Sequence, residues 1–187
     1  MRTPTPQTTQ APLGYTGIQI ALHWAIALLI LSQFLTGDWM GEFFRALMRQ
    51  TADPAAARPE MGNAVWHFVG GALVLGLGLV RLAVRMMRGV PPDSPASPSW
   101  DRTLAHVVHY ALYAAFFALP LTGLAAYLIP SRDFGEVHET LTTVLLVLIG
   151  LHIAGALYHQ VMLEDGLIRR MMVPVRPARS VPPVKAR

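Results

Sequence analysis

Two histidines, His138 and His152, lie fourteen residues apart in one long apolar segment of this 187-residue chain. On an α-helix, with a rise of ~1.5 Å and a turn of ~100° per residue, this spacing keeps both rings within ~40° of one face and separates them by ~21 Å. Imidazole is polar, titratable and a common metal ligand, so an apolar helix that carries two of them needs a functional reason. Such a helix would offer one ligand near each surface of a membrane.

The composition limits what these histidines can bind. The chain contains no cysteine, which excludes disulfides, thiolate ligands, iron–sulfur clusters and covalent haem attachment through C-x-x-C-H. Any metal or cofactor must therefore be held by His, Met or oxygen ligands.

The rest of the sequence predicts an all-α integral-membrane protein. Hydrophobic residues make up 53% of the chain and charged residues only 14%, well below the quarter that is usual in soluble domains. Four apolar blocks are each close to the ~20 residues that cross a bilayer. We predict one multi-pass domain over residues 1–187, a four-helix bundle with helices at about 16–36, 64–87, 103–128 and 137–162. We expect FFRALMRQ, after the first helix, to be a short interfacial helix, and residues 1–14 and 168–187 to be flexible tails.

Charge placement orients the bundle. All but four of the fifteen basic residues fall on the side that holds both termini, the exceptions being Arg45, Arg49, Arg58 and Arg132. By the positive-inside rule, both termini are cytoplasmic. This also explains the sequence pI of about 10.0, so we expect a lipid bilayer as partner and no nucleic acid.

Four histidines pair by depth in this topology. His67 and His138 lie near the outer surface, and His23 and His152 lie near the inner surface. A metal held by two imidazoles and nothing else from the protein suggests an iron that already has four porphyrin nitrogens, whereas zinc would want three or four protein ligands. Two b-type haems, one near each surface, are the hypothesis. Its alternative is that the four are interfacial polar residues whose depths match by chance.

Glycines in two of the helices fit this hypothesis, because they leave room for a flat macrocycle between helices. They are Gly70, Gly71, Gly76 and Gly78 in the second helix, and Gly150 and Gly155 beside His152.

Other polar residues near the inner surface have more than one interpretation. Arg81 and Arg85 are either positive-inside anchors or partners for the propionates of the inner haem. His106 and His109 are open to roles as spare ligands, propionate partners or proton carriers or, with Arg102 nearby, as contacts of a quinone; the alternative is that they are ordinary interfacial residues. His159, seven residues after His152 on the same stripe, is open to a role as spare ligand, propionate partner or proton carrier.

Motifs on all four predicted helices resemble the prokaryotic cytochrome b561 family. They are GYTGIQIALHW in the first helix, a His that opens the second, LAHVVHYALYAAFFALPLTGL in the third, and HETL with GLHIAGALYH in the fourth. The resemblance covers roughly Tyr15 to Met172. It implies a membrane cytochrome with two haem b groups, one ligated by His23 and His152 and the other by His67 and His138, in the bacterial cytoplasmic (inner) membrane.

One member of that family is a superoxide oxidase. The resemblance therefore implies an oxidoreductase that takes electrons from superoxide on the outer side and passes them to ubiquinone. An alternative is an electron-carrier cytochrome b subunit that links a dehydrogenase, hydrogenase or other redox protein partner to the quinone pool. A third reading, from another class, is a histidine-lined proton path or transporter without haem.

Overall fold

A computed structural model of the chain describes residues 14–95 and 97–175. Its four long helices are α1 (Gly17–Ala52), α2 (Ala64–Arg88), α3 (Ser99–Leu128) and α4 (Arg132–Tyr158), followed by a π-helical turn (His159–Leu163) and a short α5 (Leu167–Arg170). Each long helix contains a stretch that is long and apolar enough to cross a membrane. The prediction of an all-α membrane bundle with four long helices is confirmed.

The helices pack as two hairpins, α1 against α2 and α3 against α4, and the two hairpins meet chiefly where α2 touches α3. A small core of buried side chains joins the hairpins: Ile26, Ile30, Val74, Val108, Leu112, Ala115 and Leu145. Many large apolar side chains elsewhere are exposed, such as Leu28, Leu35 and Leu146, as expected where lipid replaces water as the solvent. We call the end of the bundle where α1 starts and α4 finishes the inner end, and the opposite end the outer end.

Helix α1 is longer than the sequence predicts. We expected it to end near Thr36, with FFRALMRQ as a separate helix, but it continues without a break to Ala52. Phe43 in this extension packs against Phe68 and Tyr127, with ring centroids 6.3 and 6.1 Å away. This burial outweighs the cost of about 1 kcal/mol for each helical glycine at Gly37 and Gly41. The extension carries the helix a further ~24 Å at ~1.5 Å per residue, beyond what a bilayer core requires.

The described part of the predicted C-terminal tail is packed against the bundle, and this corrects the expectation of a flexible segment there. Trp24 Nε1 donates a hydrogen bond to the carbonyl oxygen of Met171 at 3.0 Å, and the backbone N–H of Val175 donates to the oxygen of Tyr15 at 3.1 Å. The chain reverses between the π-helical turn and α5, where Glu164 and Gly166 have positive φ angles of 47° and 70°. The rest of the two predicted tails, residues 1–13 and 176–187, lies outside the described residues.

Candidate functional site

The outer end of the bundle brings His67 of α2 opposite His138 of α4. Their ring centroids are 6.3 Å apart and the ring planes are inclined at 72°. His138 Nδ1 lies 3.0 Å from the carbonyl oxygen of Leu119. A carbonyl oxygen can only accept, so Nδ1 carries the hydrogen and Nε2 is left as the electron-pair donor. Metal-binding histidines are usually oriented in this way by a hydrogen bond on the other ring nitrogen.

His67 is held in a similar manner. Its Nδ1 lies 3.3 Å from the hydroxyl oxygen of Thr36, and the ring also hydrogen-bonds the backbone of Gln33. Both partners belong to α1, so the neighbouring helix of the same hairpin sets the direction in which the His67 ring points.

A cavity of about 980 Å³ surrounds the two rings, a volume at the upper end of the range of about 300–1,000 Å³ for ligand pockets. Gly71 and Gly123 line it, and a Cβ atom on Gly123 would lie only 3.0 Å from His138 Cε1. The absence of a side chain at residue 123 therefore lets the His138 ring lie against α3. Two other predicted glycines lie against side chains: Gly70 receives the side chain of Gln33, and a Cβ atom on Gly78 would lie 3.8 Å from Phe116 Cβ.

The inner end of the bundle brings His23 of α1 opposite His152 of α4, with ring centroids 6.0 Å apart. A third histidine, His109 of α3, lies edge-on to His152 at 5.1 Å between centroids. His109 Nδ1 donates to the carbonyl oxygen of Ala105 at 2.6 Å. The inner site thus contains three histidines, and the distances between their rings decide which two could share a metal.

Two imidazoles on opposite sides of one metal have a fixed separation. Two metal–nitrogen bonds of about 2.0 Å, with about 1.1 Å from each nitrogen to its ring centre, would place the centroids about 6.2 Å apart. His67 with His138 at 6.3 Å and His23 with His152 at 6.0 Å both fit this value. His109 at 5.1 Å from His152 is too close to be the opposite ligand. Each fitting pair joins one hairpin to the other and supplies two nitrogen donors, which suits a planar metal complex that brings its own four equatorial ligands.

Arg81 and Arg85 are both half-buried on α2 near the inner histidines. Arg81 Nη1 donates to the backbone oxygen of Gln19 at 3.0 Å, and its charge acts on both His23 and His152. The Arg85 guanidinium lies 5.9 Å from the centre of the Tyr113 ring. Positive-inside anchors would extend outward into the headgroup region. Arg88 is exposed, whereas Arg81 and Arg85 are half-buried, and this placement favours a bound anion.

His106 and Arg102 do not join the inner histidines. Both are exposed on α3, and His106 Nε2 lies 3.7 Å from Asp93 Oδ2 with 55% of its side chain exposed. Of the three residues that we grouped as quinone or propionate contacts, the structure brings only His109 to the inner site.

The sequence did not reveal a second polar cluster at the inner end, made of Asp101, His159 and Asp165. His159 Nδ1 is 2.7 Å from Asp165 Oδ2, and its Nε2 is 3.1 Å from Asp101 Oδ2. Burial by itself raises the pKa of Asp165, but hydrogen bonds from His159, from the Leu167 backbone and from Ser94 outweigh it and lower that pKa. Asp165 is therefore a carboxylate near neutral pH. The one signal of this cluster in the sequence was that His159 lies on the same helix face as His152. Asp165 gave no signal, because it lies beyond the last predicted helix.

The wall of the outer cavity also carries charge. Two of the four outer arginines, Arg45 on the α1 extension and Arg132 at the start of α4, line it together with the carboxylates Asp38, Glu136 and Glu139. Arg45 reaches this position because α1 continues past the predicted end of the helix.

Comparisons with known proteins agree with the geometry. A family model described as prokaryotic cytochrome b561 matches residues 14–173. The chain is 36% identical to cytochrome b562 of Cereibacter sphaeroides, over 89% of this chain and 99% of that protein. It is 28% identical to the probable superoxide oxidase CybB of Yersinia pestis, over 84% of this chain and 95% of that protein. It is 26% identical to cytochrome b561 homolog 1 of Escherichia coli, over 84% and 96% respectively.

Proposed function

Because the chain belongs to the prokaryotic cytochrome b561 family, whose members are membrane haem proteins of electron transfer, we propose that it carries electrons from superoxide outside the bacterial cytoplasmic membrane to ubiquinone. In this proposal both termini are cytoplasmic, one haem b is held by His67 and His138, and a second is held by His23 and His152. The observation that carries the proposal is the pair of opposed histidines at each end of the bundle, with centroids 6.3 and 6.0 Å apart.

Each haem would supply a one-electron redox centre. The part of the protein is to position and protect it. The hydrogen bonds from His138 to Leu119 and between His67 and Thr36 fix the two outer rings, so that little ordering is needed when a metal binds. Between the outer and the inner pair of histidines, α4 contributes the buried Leu145. An apolar layer of this kind excludes ions, which favours charge crossing as electrons.

Superoxide as the donor is supported by the outer cavity and by one relative. Superoxide is a small anion, and Arg45 and Arg132 on the cavity wall would attract it. Three carboxylates share that wall, so any attraction must be local to the two guanidinium groups. The relative named as a probable superoxide oxidase is aligned over most of both chains.

We place the acceptor at the inner end. Arg81, Arg85 and His109 offer cationic and hydrogen-bonding groups beside His23 and His152. In this proposal Arg81 and Arg85 would pair with propionates of the inner haem, and the ring of His109 would lie beside that haem without ligating its iron.

The test is stopped-flow mixing of the oxidised, haem-loaded protein with superoxide, followed at the haem α-band. We expect haem reduction above the background rate, and reoxidation when a short-chain ubiquinone is added. His67→Ala is the matched control, because it should lose the outer haem and with it the fast phase. A wild-type protein that contains two haems but is not reduced by superoxide would refute the donor, and reduced haems that a ubiquinone fails to oxidise would refute the acceptor.

An electron carrier for a redox protein is the second candidate. The relative with 36% identity is named only as a cytochrome, and the α1 extension that ends at Ala52 offers a helical surface outside the bilayer. Haem reduction that requires a co-purifying dehydrogenase or hydrogenase, and that superoxide cannot replace, would favour this candidate.

A further inference from the structure

The Asp101–His159–Asp165 cluster faces the same interior as the inner histidines. His159 follows His152 by seven residues, which is nearly two turns, so it lies on the same face of the helix and ~10 Å further along the axis. Asp101 lies on the buried stripe of α3 that continues through Val108, Leu112 and Ala115. The two residues therefore meet between α3 and the end of α4, directly beneath the inner site.

The cluster is buried and carries more acid than base. The side chains of His159, Asp101 and Asp165 are only 12, 9 and 6% exposed. If His159 is protonated between two carboxylates, these three side chains carry a net charge of −1, so the cluster has room for one more proton beside the Arg170 guanidinium. Asp101 Oδ2 lies at ion-pair distance from His159 but forms no hydrogen bond of good geometry with any described residue, so a buried carboxylate oxygen has a lone pair available.

The three residues differ in what they can do with a proton. Asp165 accepts hydrogen bonds from His159 Nδ1 and from the backbone of Leu167, and this fixes the His159 tautomer with Nδ1 protonated. His159 Nε2 then lies 3.1 Å from Asp101 Oδ2, at ion-pair distance. One proton can be shared between Nε2 and Asp101, and a second can be added to the pair. The π-helical turn that begins at His159 sets this geometry, and such turns in α-helices are frequent at functional sites.

We propose that Asp101, His159 and Asp165 form a proton-loading cluster that binds a proton when the inner haem is reduced and releases it for the reduction of quinone. Oxidation of two superoxide anions gives two O₂ and two electrons, and one ubiquinone takes up two electrons and two protons to become ubiquinol. Each electron that leaves the inner end thus needs one proton from the cytoplasmic side. The inference rests on the proposed inner haem and on quinone as the acceptor.

The charged groups around the cluster are few. Arg170 of α5 donates from Nη2 to the backbone oxygen of Asp165 at 3.5 Å, Ser94 of the loop before α3 hydrogen-bonds the Asp165 side chain, and Arg102 and Glu164 neighbour Asp101 and Asp165 in sequence. Asp93, beside Ser94, pairs with the exposed His106 at 3.7 Å. This second His–Asp pair is exposed to solvent and serves as the control.

The experiment is a redox titration of each haem in the purified, haem-loaded protein between about pH 5.5 and 8.5. In the wild type we expect the midpoint potential of the inner haem to fall by up to about 59 mV for each tenfold fall in proton concentration. This slope corresponds to one proton taken up per electron. Asp101→Asn and His159→Gln should flatten this slope, while His106→Gln keeps it. The outer haem should not change in any of them. The wild type and the three variants all contain the haem propionates, so the contribution of the propionates to the slope is the same in each and does not affect the comparison.

Two results would overturn the inference. One is a wild-type inner haem whose potential does not depend on pH, and the other is a slope that survives in both Asp101→Asn and His159→Gln. If one variant loses the inner haem, the inference is still tested by the pH dependence of the inner-haem potential in the wild type and in the other variant. A chain with only one haem, or with haems that a ubiquinone does not oxidise, would instead refute the proposed function before the cluster is tested.

A kinetic readout separates proton loading from a structural role. Reoxidation of the reduced protein by a short-chain ubiquinone should slow by about tenfold or more in Asp101→Asn at high pH, the usual size of a general-acid effect being 10²–10⁴-fold. Reduction of the outer haem by superoxide, which precedes proton loading at the inner end, should be unchanged. Equal slowing of both reactions would indicate a distorted site and overturn the inference.

Discussion

His138 donates its Nδ1 hydrogen to the carbonyl oxygen of Leu119 at 3.0 Å, and this leaves Nε2 as the electron-pair donor of a ring whose centre is 6.3 Å from that of His67. A backbone carbonyl cannot be removed by mutation, so the orientation of His138 is built into the pairing of α3 with α4. His67 is oriented by the backbone of Gln33 and by a side chain, the Thr36 hydroxyl at 3.3 Å from its Nδ1. Each outer histidine therefore has one backbone partner and one threonine hydroxyl, since Thr122 Oγ1 also lies 3.2 Å from His138 Nδ1.

Thr36→Val should weaken the outer haem site, because it removes the hydroxyl beside His67 while keeping the shape of the side chain. The loss of such an orienting partner typically costs about 10–100-fold in metal affinity. Titration of the haem-free protein with haemin would measure it. Thr36→Ser, which retains the hydroxyl, should bind normally, and unchanged affinity in Thr36→Val would mean that the Gln33 backbone alone orients His67.

Gly123→Ala should expel the outer haem without destabilising the helix. The added Cβ would lie 3.0 Å from His138 Cε1, so the ring must move, while alanine in place of a helical glycine is favourable by up to about 1 kcal/mol. We expect roughly half the haem per chain, with the inner-haem spectrum intact. Gly78→Ala, whose Cβ would be 3.8 Å from Phe116, is the matched control and should keep both haems.

The sequence predicted the parts of this fold that depend on periodicity. The lengths of the apolar blocks predicted four helices, and the depth of each histidine in the membrane predicted the partners of His138 and His152. It could not predict the α1 extension, because two glycines and several charged residues resemble a loop until Phe43 finds Phe68 and Tyr127. Nor could it predict the Asp101–His159–Asp165 cluster, since the turn that folds Asp165 back onto His159 requires a positive φ at Glu164, which no residue-level pattern signals.

The inner site offers a direct test of ligand identity, because three histidines lie together. His23→Ala and His152→Ala should each remove the inner haem alone, and His67→Ala and His138→Ala the outer haem alone. His109→Ala should retain both haems, since its ring is 5.1 Å from His152 and cannot oppose it across a metal. The readout is haem per chain with the reduced-minus-oxidised spectrum. Loss of the inner haem in His109→Ala but not in His23→Ala would mean that His109, and not His23, is the ligand opposite His152.

Arg45 and Arg132 should set the rate at which superoxide reaches the outer haem. Removing one cation beside a site for a small anion lowers its encounter rate by about two- to tenfold at low ionic strength, and the effect shrinks as salt is added because charges more than ~10 Å apart are screened at 0.1 M. Arg45→Gln and Arg132→Gln should therefore slow the second-order haem reduction by superoxide and flatten its dependence on salt. Arg49→Gln is the matched control, since Arg49 lies one turn further along α1 and is not among the residues that line the cavity. If all three variants slow equally, the effect comes from the net charge of the outer surface, and the two cavity arginines have no special part in it.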